Sequence, residues 1–78
     1  MRIFALYVHS DQSSTPSLAF EIASDEKTVQ MMAERVLAES TNRLLVEVRQ
    51  EDRLLFTLDP EGSLYRNPHI GQPAEIDR

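Results

Sequence analysis

One stretch with a single apolar helical face constrains everything else this chain can build. In "SDEKTVQMMAERVLAES" the residues Val29, Met32, Ala33, Val36 and Leu37 recur at i, i+3, i+4, i+7 and i+8, the spacing of one face of an amphipathic helix. The pattern predicts a helix over residues 25–40. Ser24 is the expected N-cap, since a hydroxyl there accepts from a free N–H of the first turn. Asp25 and Glu26 follow it, where negative charge complements the helix dipole. The far end runs into "STN", residues that return easily to turn geometry.

Four alternating segments flank the helix. "RIFALYVH" is apolar on both faces, with Phe4, Leu6 and Val8 on one and Ile3, Ala5 and Tyr7 on the other; such a strand belongs inside a sheet. "SLAFEIA" sets Leu18, Phe20 and Ile22 against Ala19, Glu21 and Ala23, so one face is strongly apolar. "RLLVEVR" and "RLLFTLD" then form a hairpin. Residues opposite each other in a hairpin share a face. A two-residue loop at Glu51-Asp52 mixes core with solvent, whereas a three-residue loop, Gln50-Glu51-Asp52, pairs Val48 with Leu54, Val46 with Phe56 and Leu44 with Leu58. The three-residue loop is expected, with Asp52 at the position of positive φ.

The predicted fold is α+β, a ββαββ chain whose four-stranded antiparallel sheet has the order 2-1-3-4 and carries one helix on one face. The helix-covered face is expected to hold Phe4, Leu6, Val8, Leu18, Phe20, Ile22, Val46, Val48 and Phe56. "DPEG", with Pro60 at i+1 and Gly62 at i+3, predicts a type I turn. A single domain over residues 1–62 follows, then a C-terminal segment over 63–78. Leu64, Tyr65 and Ile70 are expected to dock locally, and 71–78 to be disordered.

A chain of 78 residues without cysteine has neither disulfides nor thiolate zinc to supplement a small core. Self-association is the remaining supplement. The net charge of −5, with eight basic residues scattered among acids as in "EVRQEDR", argues against nucleic acid or an anionic membrane as partner. No apolar run reaches the roughly 20 residues of a membrane span. The chain is expected to be cytoplasmic.

"YVHSDQSSTP" carries the side-chain types of a hydrolase triad, but His9, Ser10 and Asp11 are consecutive and point alternately to opposite faces. The stretch is expected to be a polar strand end and a connection. His9, Asp11 and His69 have no spacing that predicts metal binding. "DPEG" lacks the ligands of a calcium loop, and two glycines cannot make a phosphate cradle. No catalytic motif, cofactor site or metal site is predicted, and a hydrolase using His9 and Asp11 ranks last.

The informative surface is the sheet face away from the helix, expected to show Ile3, Ala5, Tyr7, Leu45 and Leu55, interrupted by Glu21, Glu47 and Thr57. That is more apolar surface than a small monomer usually leaves in one patch. Met31, on the outer side of the helix, is a lesser candidate. The expected role is a small homodimerising or protein-interaction module. The alternatives are a ligand-binding or regulatory domain with this face as pocket floor, and a face covered by the chain's own C-terminal segment.

Taken together, "ASDEKTVQMMAERVLAE" and "VEVRQEDRLLFTL" resemble a loose group of very small bacterial proteins of unknown function. Their pattern is a strand pair, an acidic helix start and a hairpin with a charged turn. The resemblance covers about two thirds of the chain; "SDQSSTP" and the residues after Pro60 lie outside it. It implies the strand-strand-helix-strand-strand fold and the plausibility of dimers, and no activity.

Overall fold

The computed structural model describes residues 1–67. Five strands and one helix follow in the order β1 (Arg2–Ser10), β2 (Ser13–Ala23), α1 (Glu26–Ala38), β3 (Arg43–Gln50), β4 (Arg53–Leu58) and β5 (Leu64–Arg66). The sheet is antiparallel throughout, in the order β2-β1-β3-β4-β5. The expected 2-1-3-4 arrangement is present, extended by a fifth strand. Arg2–Ser10, apolar on both sides, is indeed interior.

The core is one cluster between α1 and the sheet. Val29, Ala33 and Leu37 from the helix meet Phe4, Leu6, Val46, Val48, Phe56 and Leu58 from the strands, all buried. Met32 and Val36 flank it, half-buried. Burying each of the larger side chains fully is worth about 1.5–3 kcal/mol, and no buried polar or charged residue among those described offsets the gain.

The helix begins one residue later than expected. Asp25, not Ser24, is the N-cap, with extended backbone (φ −156°, ψ 175°). Its Oδ1 accepts from the Thr28 N–H at 2.9 Å and the Thr28 hydroxyl at 2.7 Å. Thr28 offers two donors to one carboxylate three residues back, which a serine hydroxyl at position 24 cannot match in reach or charge. The bond from the Thr28 hydroxyl, then that from its N–H, holds the Asp25 carboxyl below its ordinary value of 3.8. A lowered native pKa means stability that is present above the unfolded value and lost as pH falls through the native one. Asp25→Ala should therefore lower the melting temperature at neutral pH, and the deficit should narrow once the pH falls below 3.8. Paired thermal melts at neutral and strongly acid pH measure both parts.

At the other end the helix stops at Ala38, where the Glu39 N–H bonds back to the Val36 carbonyl at 3.2 Å. The Arg43 guanidinium donates to that same carbonyl and to the Glu39 carboxylate (3.0 Å), placing a cation where the helix dipole favours one.

The β3–β4 connection is the two-residue loop at Glu51-Asp52, not the three-residue loop expected from sequence. Gln50 pairs with Arg53 across a two-residue turn, Glu51 (φ 53°) and Asp52 (φ 67°). Both residues then occupy the left-handed region, as a twisted two-residue hairpin turn requires. The parity conflict that argued against this turn is resolved by a β-bulge. Arg49 pairs with Leu54 but Val48 pairs with Phe56, leaving Leu55 as an extra residue on β4. Past the bulge Val46 opposes Leu58, not Phe56 as expected, and Leu44 has left the β3–β4 ladder. Val46, Val48 and Phe56 still share the helix-covered face.

After Leu58 the chain turns through Asp59–Gly62, with the Gly62 N–H on the Asp59 carbonyl (3.0 Å). The Asp59 side chain accepts from the N–H groups of Glu61 and Ser63. The turn returns Leu64 opposite Leu58 and Tyr65 opposite Thr57. Glu26 in the first turn of α1 reaches Arg66 at 2.5 Å and Arg2 at 3.9 Å, tying β5 and β1 to the helix start. The expected docking of Leu64 and Tyr65 thus takes the form of a strand, while Ile70, His69 and the segment 71–78 lie outside the described residues.

Candidate interaction surface

The β1–β2 register decides what the uncovered face looks like. Asp11-Gln12 is a two-residue connection, so Ser10 pairs with Ser13 and, beyond an irregularity that absorbs Pro16, Val8 pairs with Ser17. Proline has no N–H for a ladder and is found at such bulges. From there Tyr7 opposes Leu18, Ala5 opposes Phe20 and Ile3 opposes Ile22. Cross-strand partners share a face, so Leu18, Phe20 and Ile22 join Ile3, Ala5 and Tyr7 on the side away from the helix. This corrects the expectation that they pack beneath α1. The helix-side positions of β2 are Ser17, Ala19, Glu21 and Ala23, mostly small, with Ala23 buried in the core.

The consequence is a contiguous apolar patch over two strands. Ile3 is 62%, Leu18 49%, Phe20 67% and Ile22 59% exposed. Ala5 and Tyr7 lie among them, half-buried. These side chains expose on the order of 500 Å² of apolar surface, the upper range for a patch on a soluble monomer. Leu18, Phe20 and Ile22 were missed as surface residues from sequence. The signal that finds them is the turn length, because a two-residue turn joins positions of opposite parity.

Toward β3 the same face becomes polar. Glu47, opposite Tyr7, lies between two basic side chains: His9 Nε2 at 3.4 Å and Arg49 Nε at 3.9 Å. The Arg49 guanidinium also stands over the Tyr7 ring, 5.6 Å from its centroid. His9 therefore turns to Glu47 rather than to Asp11, and its Nε2 is closed to solvent. Asp11 is exposed, its N–H bonded to the Asn42 carbonyl. Triad geometry does not form there. Among the described residues no group of three or more His, Asp or Glu side chains is gathered as a metal site.

Of the other expected surface residues, Leu45 is half-buried opposite His9 and Met31 is exposed on the helix. Leu55 is a correction. The bulge turns it inward, and at 4% exposed it belongs to the core. Tyr65 is on the open face but at the opposite side of the sheet, so Leu64 and Tyr65 do not cover the β1–β2 patch.

Two depressions accompany this relief. On the open face a hollow of about 400 Å³ is lined by Ile3, Ala5, Tyr7, Phe20 and Arg49 and, at the hairpin turn, by Glu51 and Asp52. On the helix side a cleft of about 510 Å³ runs between the end of α1 and the β1–β2 ribbon, lined by Leu6, Val8, Ala19, Val36 and Arg43. Arg43 is already held by Val36 and Glu39. No described helix is long and apolar enough to cross a membrane. No protein-family model, curated protein or solved structure matches the chain.

Proposed function

We propose that this chain is a small cytoplasmic self-associating module whose contact surface is the apolar half of the uncovered sheet face. The observation that carries the reading is the patch itself: Ile3, Leu18, Phe20 and Ile22, each exposed to about half or more and adjacent in the ladder. Two such patches brought together bury about 1,000 Å² in total, the lower limit for a specific interface. The distribution of polarity fits as well, with an apolar centre and a charged border at Glu47 and Arg49, as interfaces are built.

Solution mass by light scattering or sedimentation tests it. The wild-type chain should show twice the monomer mass as its concentration rises, and Ile3→Asp should remain monomeric with its helix signal intact. A wild type that is monomeric at high micromolar concentration removes the proposal. The alternative of a ligand-binding domain on this face, with Tyr7 and His9 supplying polar contacts, is weakened by the His9 Nε2, which lies against Glu47 and is closed to solvent. Ligand-induced amide shifts confined to β1 and β3, from a chain that stays monomeric, would favour it instead.

A further inference from the structure

The β1–β2 ribbon is complementary to itself. On the open face it presents three cross-strand pairs in succession, Ile3 with Ile22, Ala5 with Phe20, and Tyr7 with Leu18. In the middle pair one member is the smallest side chain of the patch and the other is its most exposed aromatic. Ala5 is surrounded on the same face by Ile3 and Tyr7 along its strand and by Phe20 and Arg49 across it, and all five line the 400 Å³ hollow, which extends to Glu51 and Asp52 of the hairpin turn. A knob and a hole thus stand side by side.

A two-fold axis along the strands, midway between β1 and β2, exchanges the two members of every pair when one sheet is laid on another. It places Phe20 of each copy over Ala5 of the other, Ile3 over Ile22 and Tyr7 over Leu18. This is the contact pattern of an isologous interface, in which residue i meets j and j meets i. Facing sheets pack about 10 Å apart with strands nearly aligned, a separation that a phenyl ring crosses only where the opposite side chain is small. The axis sets the β3 backbone outside the overlap of the two ribbons, so of its side chains the Arg49 guanidinium, over the Tyr7 ring, reaches in as the rim of the hollow.

Resting on the self-association proposed above, we infer that the partner is a second copy of this chain, locked by reciprocal insertion of Phe20 into the Ala5 hollow. The hollow is then a socket for the partner's ring and not a small-ligand site. Charged substitution anywhere in the patch would test only the proposed surface, so the socket needs a test of its own. Ala5→Leu fills it and Phe20→Ala removes the ring; both lie on the uncovered face and leave the core side chains untouched. Each variant alone should dimerise at least ten-fold more weakly than wild type.

A mixture of the two variants separates contact between copies from contact within one. The heterodimer regains one native contact, Phe20 of the Ala5→Leu copy in the open hollow of the Phe20→Ala copy. Its other contact sets the new leucine against the space that the ring vacated. Native mass spectrometry of an equimolar mixture should therefore show more heterodimer than the two homodimers combined. Statistical mixing, or an Ala5→Leu chain that dimerises like wild type, overturns the insertion while leaving the surface standing. A monomeric wild type removes both.

Discussion

Phe4→Ala should lose about 3–5 kcal/mol of stability, the cost of emptying a phenylalanine site in a core, whereas Phe20→Ala should cost the monomer no more than about 0.5 kcal/mol. The two residues stand on adjacent strands and are indistinguishable by type or by local alternation. Phe4 is fully buried under α1, and Phe20 is two-thirds exposed on the other face. A chain of this size holds only about 4–12 kcal/mol in total, so Phe4→Ala should lose a large fraction of its stability, and all of it at the lower end of that range. Urea denaturation over a series of protein concentrations measures the contrast. At high dilution the Phe20→Ala midpoint should coincide with that of wild type. At high concentration it should fall behind, because only wild type gains stability from association. A Phe20→Ala loss as large as that of Phe4→Ala at every dilution would place Phe20 beneath the helix.

That contrast also marks where the sequence stops being informative. The helix is visible because a 3.6-residue stripe is independent of context. Strand 1 is visibly interior because it is apolar on both faces, and the "DPEG" turn because proline and glycine fix local angles. Alternation in β2 gives two faces but not which of them meets the helix. That choice depends on the parity of a turn inside "SDQSSTP", a stretch readable equally as a loop. On the helix side β2 carries small residues, with Ala23 in the core and Ala19 exposed, so apolar bulk pointed to the wrong side. The bulge at Leu55 is hidden for a related reason. It is the device by which a two-residue turn of Glu51 and Asp52 is reconciled with a common core face for Val48 and Phe56, and no residue type signals it. The N-cap shift from Ser24 to Asp25 turned on Thr28, whose two donors become visible only with the backbone in place. Among the candidate surface residues, Ile3, Ala5 and Tyr7 follow from strand 1 alone; Leu18, Phe20 and Ile22 required the register.

The bulge gives Leu54 and Leu55 opposite responses to the same substitution. Leu54 pairs with Arg49, which stands on the open face beside Tyr7, so Leu54→Asp sets a carboxylate across from a guanidinium at a half-buried position. Opposite charges across a strand pair are worth about 0.2–1 kcal/mol, offsetting part of the lost packing, and that variant should fold. Leu55 is nearly inaccessible and packed with the core cluster. Leu55→Ala should cost about 2–5 kcal/mol, and Leu55→Asp more, since a buried carboxylate with no partner must either lose its charge or keep the chain open. Leu55→Asp should therefore show no helix signal at neutral pH, where Leu54→Asp retains it. The three-residue loop reverses the pair: Leu54 would then oppose Val48 in the core and Leu55 would face outward. Circular dichroism of these two neighbours reports which register the hairpin adopts, and with it whether Leu55 belongs to the core or to the interaction surface.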